Sequence, residues 1–233
     1  PTAVRLADLR GIGREFVRRY LLTVLPVAAN EIMWSVGITI YNMVYARIST
    51  EAIAAVNITA TIEGIAFVIF IGLGNASAIM IVNRIGAGEE DKAYLYARRA
   101  LKMGVVLGML SGLVIIALNS SIIAQYKISA QAAENARGIL MVMGCALWMK
   151  GSNLIIIVGI LRSGGDTRFS LFLDAGTVWL VGIPMALLGA FVFHLPVYWV
   201  VAMVMADEAA KLTFGLYRFF SRKWVNNLAK NMA

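Results

Sequence analysis

The sequence predicts an all-α membrane protein of six transmembrane helices, and three observations carry that expectation. Of its 233 residues 60% are hydrophobic and the mean hydropathy is +0.78, whereas soluble domains are roughly 45–50% apolar. Six apolar runs, at 20–46, 53–83, 98–124, 137–161, 169–193 and 197–219, each reach the roughly 20 residues that a helix needs to span hydrocarbon. Lysine and arginine gather on alternate sides of those runs. Sixteen fall in the N-terminal arm, the turns near 84–102 and 161–168 and the stretch after 217, against Arg47, Lys127 and Arg137 on the opposite side. Because cytoplasmic loops carry the excess of positive charge, both termini are expected in the cytoplasm of a cell carrying the protein in its inner membrane.

Residues 1–19 set Leu6, Leu9, Ile12, Phe16 and Val17 at helical spacing against Arg5, Arg10, Arg14, Arg18 and Arg19. That pattern fits a helix lying in the membrane interface or a basic linker anchoring the next span. The organisation expected is a cytoplasmic arm over 1–19, a six-helix transmembrane unit over 20–220 and a cytoplasmic tail over 221–233. Pro26 in the first span and Pro184 in the fifth are candidate kinks, while Pro196 opens the last span, where a missing N–H costs little. The second span, about 31 residues at about 1.5 Å rise each, should tilt, bend or project beyond the bilayer. Gly104, Gly108 and Gly112 form two overlapping GxxxG patterns on one face of the third span, which let a neighbouring helix approach closely.

Two polar stretches interrupt the spans. Arg84–Arg99, RIGAGEEDKAYLYARR, reads as a Gly-rich charged loop, and it lacks the GxxxxGK[ST] pattern of a nucleotide-binding loop, so ATP hydrolysis finds no support. Gly159–Gly176, GILRSGGDTRFSLFLDAG, breaks an apolar run with a Gly-Gly pair flanked by Arg162 and Arg168. Glycine accepts backbone angles that other residues do not, so a tight reversal forms there at low steric cost.

Composition narrows the chemistry. Cys145 and His194 are the sole cysteine and histidine, which rules out an intrachain disulfide and leaves transition metals almost no ligands. The net charge of +8 is mostly a topology signal, and no nucleic-acid partner is expected. The chain begins with Pro1 and shows no signal-peptide pattern, so a fragment or trimmed form is expected.

Ionisable side chains within spans are costly and by default mark a site or pathway. Glu31, Glu63, Asp174, Asp207 and Glu208 stand against Lys150 and Lys211, an excess of acid that favours cations. Glu31 lies roughly 16 Å into the first span, close to the midplane, with Ser35 and Asn42 continuing its face. Glu63 sits at similar depth from the other end of the second span, with Thr59 one turn before it. Two carboxylates at one depth could share a proton or a Na⁺ ion, or could serve only as satisfied structural hydrogen-bond partners. Asp174, five residues past the Arg/Gly turn, reads as too shallow for the midplane; it could cap the entry of a water-filled cavity or pair with Arg162 or Arg168. Asp207, Glu208 and Lys211 fall within one helical turn and should largely neutralise each other. Lys150 is expected to pair with a carboxylate such as Glu31 or Glu63; a retinal Schiff base there would require a seven-helix bundle. Twelve methionines suit either an adaptable ligand cavity or ordinary membrane packing.

The stretches RIGAGEEDKAYLYARRAL and GILRSGGDTRFSLFLDAGTVWLVGIP, with PVAANEIMWS at 26–35, resemble the multidrug and toxic compound extrusion (MATE) transporters. The resemblance covers nearly the whole chain and corresponds to the second six-helix lobe of a twelve-helix secondary transporter. It implies a missing N-terminal six-helix lobe as partner, a lipid bilayer around both, no enzymatic activity, and export of small cationic or amphiphilic substrates in exchange for Na⁺ or H⁺ with no other cofactor. It also aligns Glu31 with the acidic position of the family's seventh helix, where cation coupling or substrate contact is often placed. The residues expected to couple a cation or bind substrate are therefore Asn30, Glu31, Ser35, Glu63, Lys150, Asp174, Asp207 and Glu208, with Glu31 and Glu63 as Na⁺ ligands. Rival readings are a lipid-linked oligosaccharide flippase, which would want a basic cavity, a non-transporting structural lobe, and a membrane-embedded enzyme. For the last there is no HExxH, and Asp174 and Asp207 read as lying at different depths.

Overall fold

The computed structural model describes residues 13–226, which form six long helices and no strand. They are α1 (Arg14–Ile48), α2 (Thr50–Gly86), α3 (Glu90–Ile123), α4 (Ala130–Arg162) and α5 (Thr167–Val192), and α6 (Val197–Phe220). Residues 1–12 of the basic arm and 227–233 of the tail lie outside the described residues. From Arg14 the arm is already helical and runs unbroken into the first span.

The first five helices are long and apolar enough to cross a membrane. The sixth carries Asp207, Glu208 and Lys211 in mid-helix, and it buries Asp207 and Lys211, so its polar atoms are spent inside the bundle. Several helices outrun the apolar runs, and two of them, α2 and α4, start on capping serines in polar sequence. Ser49 Oγ accepts from the Ala52 N–H at 3.0 Å and Ser129 Oγ from the Ala132 N–H at 3.2 Å, each satisfying an otherwise orphan donor. The stretch read as a charged loop at 84–99 is mostly helix. Only 87–89 turn, with Gly88 at φ 77°, an angle that favours glycine.

Two helices change their winding. α4 ends in a π-helical stretch, Ile155–Arg162, and α5 contains two more, Val178–Gly182 and Leu188–Val192. Wider turns of this kind shift the face a helix presents. Pro184 lies two residues past the first α5 stretch, where the regular hydrogen-bond ladder that proline would break is already displaced.

Packing is tightest between α3 and α4. Gly104, Gly108 and Gly112 are all buried, and a Cβ at Gly108 or Gly112 would strike the backbone of Trp148 or Gly144, while one at Gly104 would strike the Ile155 side chain. The GxxxG stripe is thus a helix-packing face. Long apolar side chains such as Ile65, Val68, Met109, Leu113 and Leu180 point outward, as a helix bundle in lipid requires.

At the end holding the α2–α3 and α4–α5 turns, the chain after α6 folds back. Trp224 is fully buried, stacks on Phe219 at 6.3 Å, and donates its indole N–H to the Phe219 carbonyl at 3.1 Å. It fills the space over Gly164, where a side chain would collide with it, and the Asn226 N–H reaches the Gly164 carbonyl at 2.8 Å. Arg218 pairs with Asp166 at 2.6 Å and lies over Phe169; Arg222 pairs with Asp91 at 2.9 Å and lies over Tyr94. The first part of the stretch read as a tail is in fact a strap over the Arg/Gly turn.

Candidate functional site

All five intramembrane carboxylates line one cavity of about 560 Å³. The sequence places them there by helical spacing. On α1, Glu31, Trp34, Ile38, Tyr41 and Tyr45 lie three or four residues apart and share a face, and all five line the cavity. On α2 the contributions are Thr59, Glu63 and Phe67; on α4, Lys150, Asn153 and Arg162; on α5, Asp174; and on α6, Asp207, Glu208 and Lys211.

The charges are paired across helices. Lys150 Nζ forms an ion pair with Glu63 and stands 5.7 Å from the Phe67 ring centre. Arg162 Nη2 reaches Glu31 at 2.8 Å and Asp174 at 4.0 Å, and Arg162 Nε donates to Ser170 Oγ at 3.3 Å. Lys211 Nζ sits among three carboxylates, 3.3 Å from Asp174, 3.4 Å from Asp207 and 3.4 Å from Glu208. An ammonium has three N–H donors, so it can address all three acids at once. Asn30 Nδ2 donates to Asp174 at 2.9 Å, Asn153 Nδ2 donates to Glu208 at 2.7 Å, and Tyr41 donates its hydroxyl to Asp207 at 3.4 Å. The side-chain amide oxygens Oδ1 of Asn30 and Asn153 are buried without a hydrogen-bond partner, so each side chain retains an unused acceptor beside a carboxylate.

Several expectations change. Asp174 is hydrogen-bonded to Asn30, so it stands level with the start of the Glu31 face and not above it. Asp174 and Asp207 share the Lys211 ammonium and are not separated in depth. With that cation between them they do not form the facing acid pair of an aspartyl enzyme. Glu31 and Glu63 are paired with different bases, Arg162 and Lys150. Ser35 is exposed and does not line the cavity, although Asn42, expected on the same face, does. Among the described residues no group of three or more His, Cys, Asp and Glu side chains is arranged to hold a metal ion; where three carboxylates do meet, the Lys211 ammonium is already among them.

Two features escaped sequence reading. Arg162 meets Asp174, one of its expected partners, but its closer contact with Glu31 brings it into the cavity while Arg168 stays exposed; the cavity then holds five acids against three bases, an excess of two if all are charged. The lining tyrosines Tyr41 and Tyr45 were legible in the 31, 34, 38, 41, 45 spacing, which extends the Glu31 face by whole turns.

The MatE family model matches residues 26–213. Multidrug resistance protein MdtK of Edwardsiella ictaluri is 25% identical, with the match covering 72% of this chain and 36% of that protein. Probable multidrug resistance protein NorM of Pseudomonas aeruginosa is 27% identical, covering 91% of this chain and 46% of its own length. Among solved structures, an outward-facing multidrug resistance MATE family transporter of the MOP superfamily superposes with a TM-score of 0.81 at 18% identity, over 90% of this chain and 46% of that one. A MOP superfamily transporter from Pyrococcus furiosus, described as having a binding pocket of reverse polarity, superposes with a TM-score of 0.79 at 19% identity, over 88% of this chain and 45% of that one. The chain thus spans half or less of the length of the proteins it matches, and it has the fold of that part of them.

Proposed function

Because the chain belongs to the MatE family, we propose that it is one six-helix lobe of a multidrug efflux antiporter, and that the complete transporter exports organic cations or cationic amphiphiles in exchange for Na⁺ or H⁺. The observation that carries this reading is the convergence of five carboxylates from four helices on one cavity with three bases. An excess of acid inside a low-dielectric cavity attracts protons, small cations and cationic substrates alike. Uptake of one then weakens the hold on another, and a cavity that binds them unequally in its inward and outward states can couple their movements.

The chain's own residues supply distinct parts of that scheme. Glu31, with 57% of its side chain exposed and Arg162 on one side, is the carboxylate most open to an arriving ion. The Asp174, Asp207 and Glu208 cluster is held by Lys211 and sets the negative potential behind it. The basic turns and the α6 end lie on the cytoplasmic side in this reading, with the missing lobe packed across the open cavity mouth. A flippase for lipid-linked oligosaccharides would require an excess of base to hold pyrophosphate, and the cavity has the opposite balance. In the transporter containing this lobe, Glu31→Gln is expected to abolish ion-coupled efflux with folded protein still in the membrane; undiminished coupling would remove Glu31 from the mechanism.

A further inference from the structure

Deepening the reading above, on which it rests, we propose that Lys150 is a tethered surrogate ligand: its ammonium occupies a recognition subsite for the ammonium group of a substrate, built from the Glu63 carboxylate and the face of Phe67. Glu63 and Phe67 are four residues apart on α2, hence stacked on one face. The lysine reaches them from α4, pairing with Glu63 and standing 5.7 Å from the Phe67 ring centre, within the roughly 6 Å at which a ring's quadrupole attracts a cation. A carboxylate beside an aromatic face is the arrangement that recognises an alkylammonium.

The contrast with Lys211 separates the two roles. Lys211 retains 4% of its side-chain surface and answers three carboxylates, so removing its ammonium would strand several buried charges. Lys150 and Glu63 retain 19% and 26% and open on the cavity. Beside them Gly64 leaves unfilled space, since a Cβ there would meet nothing within 4 Å. An incoming ammonium that takes the place of Lys150 exchanges one ion pair for another, so Glu63 is never left unpaired. The displaced lysine still faces a cavity with an acid excess. A neutral amphiphile gains nothing at this subsite, which makes Glu63 and Phe67 determinants of a preference for primary or quaternary ammonium groups on an apolar body.

The test is calorimetric binding of benzyltrimethylammonium and its neutral isostere neopentylbenzene to the purified chain in detergent micelles. Lys150→Met is expected to bind the ammonium up to about tenfold more tightly than the unaltered chain, and adding Phe67→Leu to it is expected to lose about 3- to 10-fold. The neutral isostere should respond to neither change. If the unaltered chain binds the ammonium and Lys150→Met binds it no more tightly, Lys150 is a structural partner of Glu63; the surrogate idea falls and the efflux reading stands. If Lys150→Met does not fold, Phe67→Leu alone decides, since equal losses for ammonium and isostere, or none, would overturn the subsite. Binding of the ammonium to no form of the chain would overturn the subsite and the cation-binding reading of the cavity together.

Discussion

The Lys211 ammonium stands 3.3 Å from Asp174 and so fastens α6 to α5 across the cavity, while the same nitrogen holds Asp207 and Glu208 on its own helix. Breaking a buried pair by removing one partner costs about 3–5 kcal/mol, because the charge left behind is uncompensated. Lys211→Ala is expected to destabilise the bundle by about that amount, read as a drop in thermal midpoint in detergent. Adding Asp174→Asn, Asp207→Asn and Glu208→Gln should recover most of the loss, since all three stranded charges are then gone. Absence of any recovery would mean that the lysine acts through packing and not through charge.

The α3–α4 contact gives a sharper steric test. Gly112→Val must displace the α4 backbone at Gly144, and overpacking of this kind costs about 1–3 kcal/mol. Gly72→Ala and Gly176→Ala, whose new Cβ would meet nothing within 4 Å, are expected to be neutral or to stabilise by up to about 1 kcal/mol through helix propensity. Equal effects at the three glycines in a thermal-shift assay would contradict the packing described.

The strap after α6 is held chiefly by one side chain. Trp224→Ala removes a fully buried indole and its hydrogen bond to the Phe219 carbonyl, a change worth about 3–5 kcal/mol in a packed core. Residues 221–226 should then become sensitive to limited proteolysis while the six helices stay protected. Unchanged cleavage would show that Arg218 and Arg222 suffice to hold the strap.

How much of this was legible in the sequence follows from what each signal measures. The six spans and the glycine stripe were, because apolar length and small-residue spacing are local properties. So was the pairing of Lys150 with a carboxylate, since a membrane lysine must find one. Relative depth was not. Counting from the edge of an apolar run treats each span as an upright cylinder with known ends, but α1 begins at Arg14, well before the apolar run, and α5 enters beside it close enough for Asn30 to reach Asp174 at 2.9 Å. The pairing of Arg162 with Asp174 was legible, but its closer contact with Glu31 was not, for a related reason. A guanidinium on a long stem at a helix end can point outward to water or back into the bundle, and only the positions of Glu31 and Asp174 decide which. The Trp224 strap left no local sign at all, since what buries that indole is Gly164, sixty residues earlier in the chain.

The central claim is that an acid-rich cavity in this lobe couples cation entry to substrate export. It is tested most directly by efflux of a fluorescent organic cation from proteoliposomes carrying the transporter that contains this lobe, measured with a Na⁺ gradient, a proton gradient or neither. Efflux that accelerates under an inward gradient of one of these ions, and loses that acceleration in Glu31→Gln, is the expected result. Efflux indifferent to both gradients would contradict it.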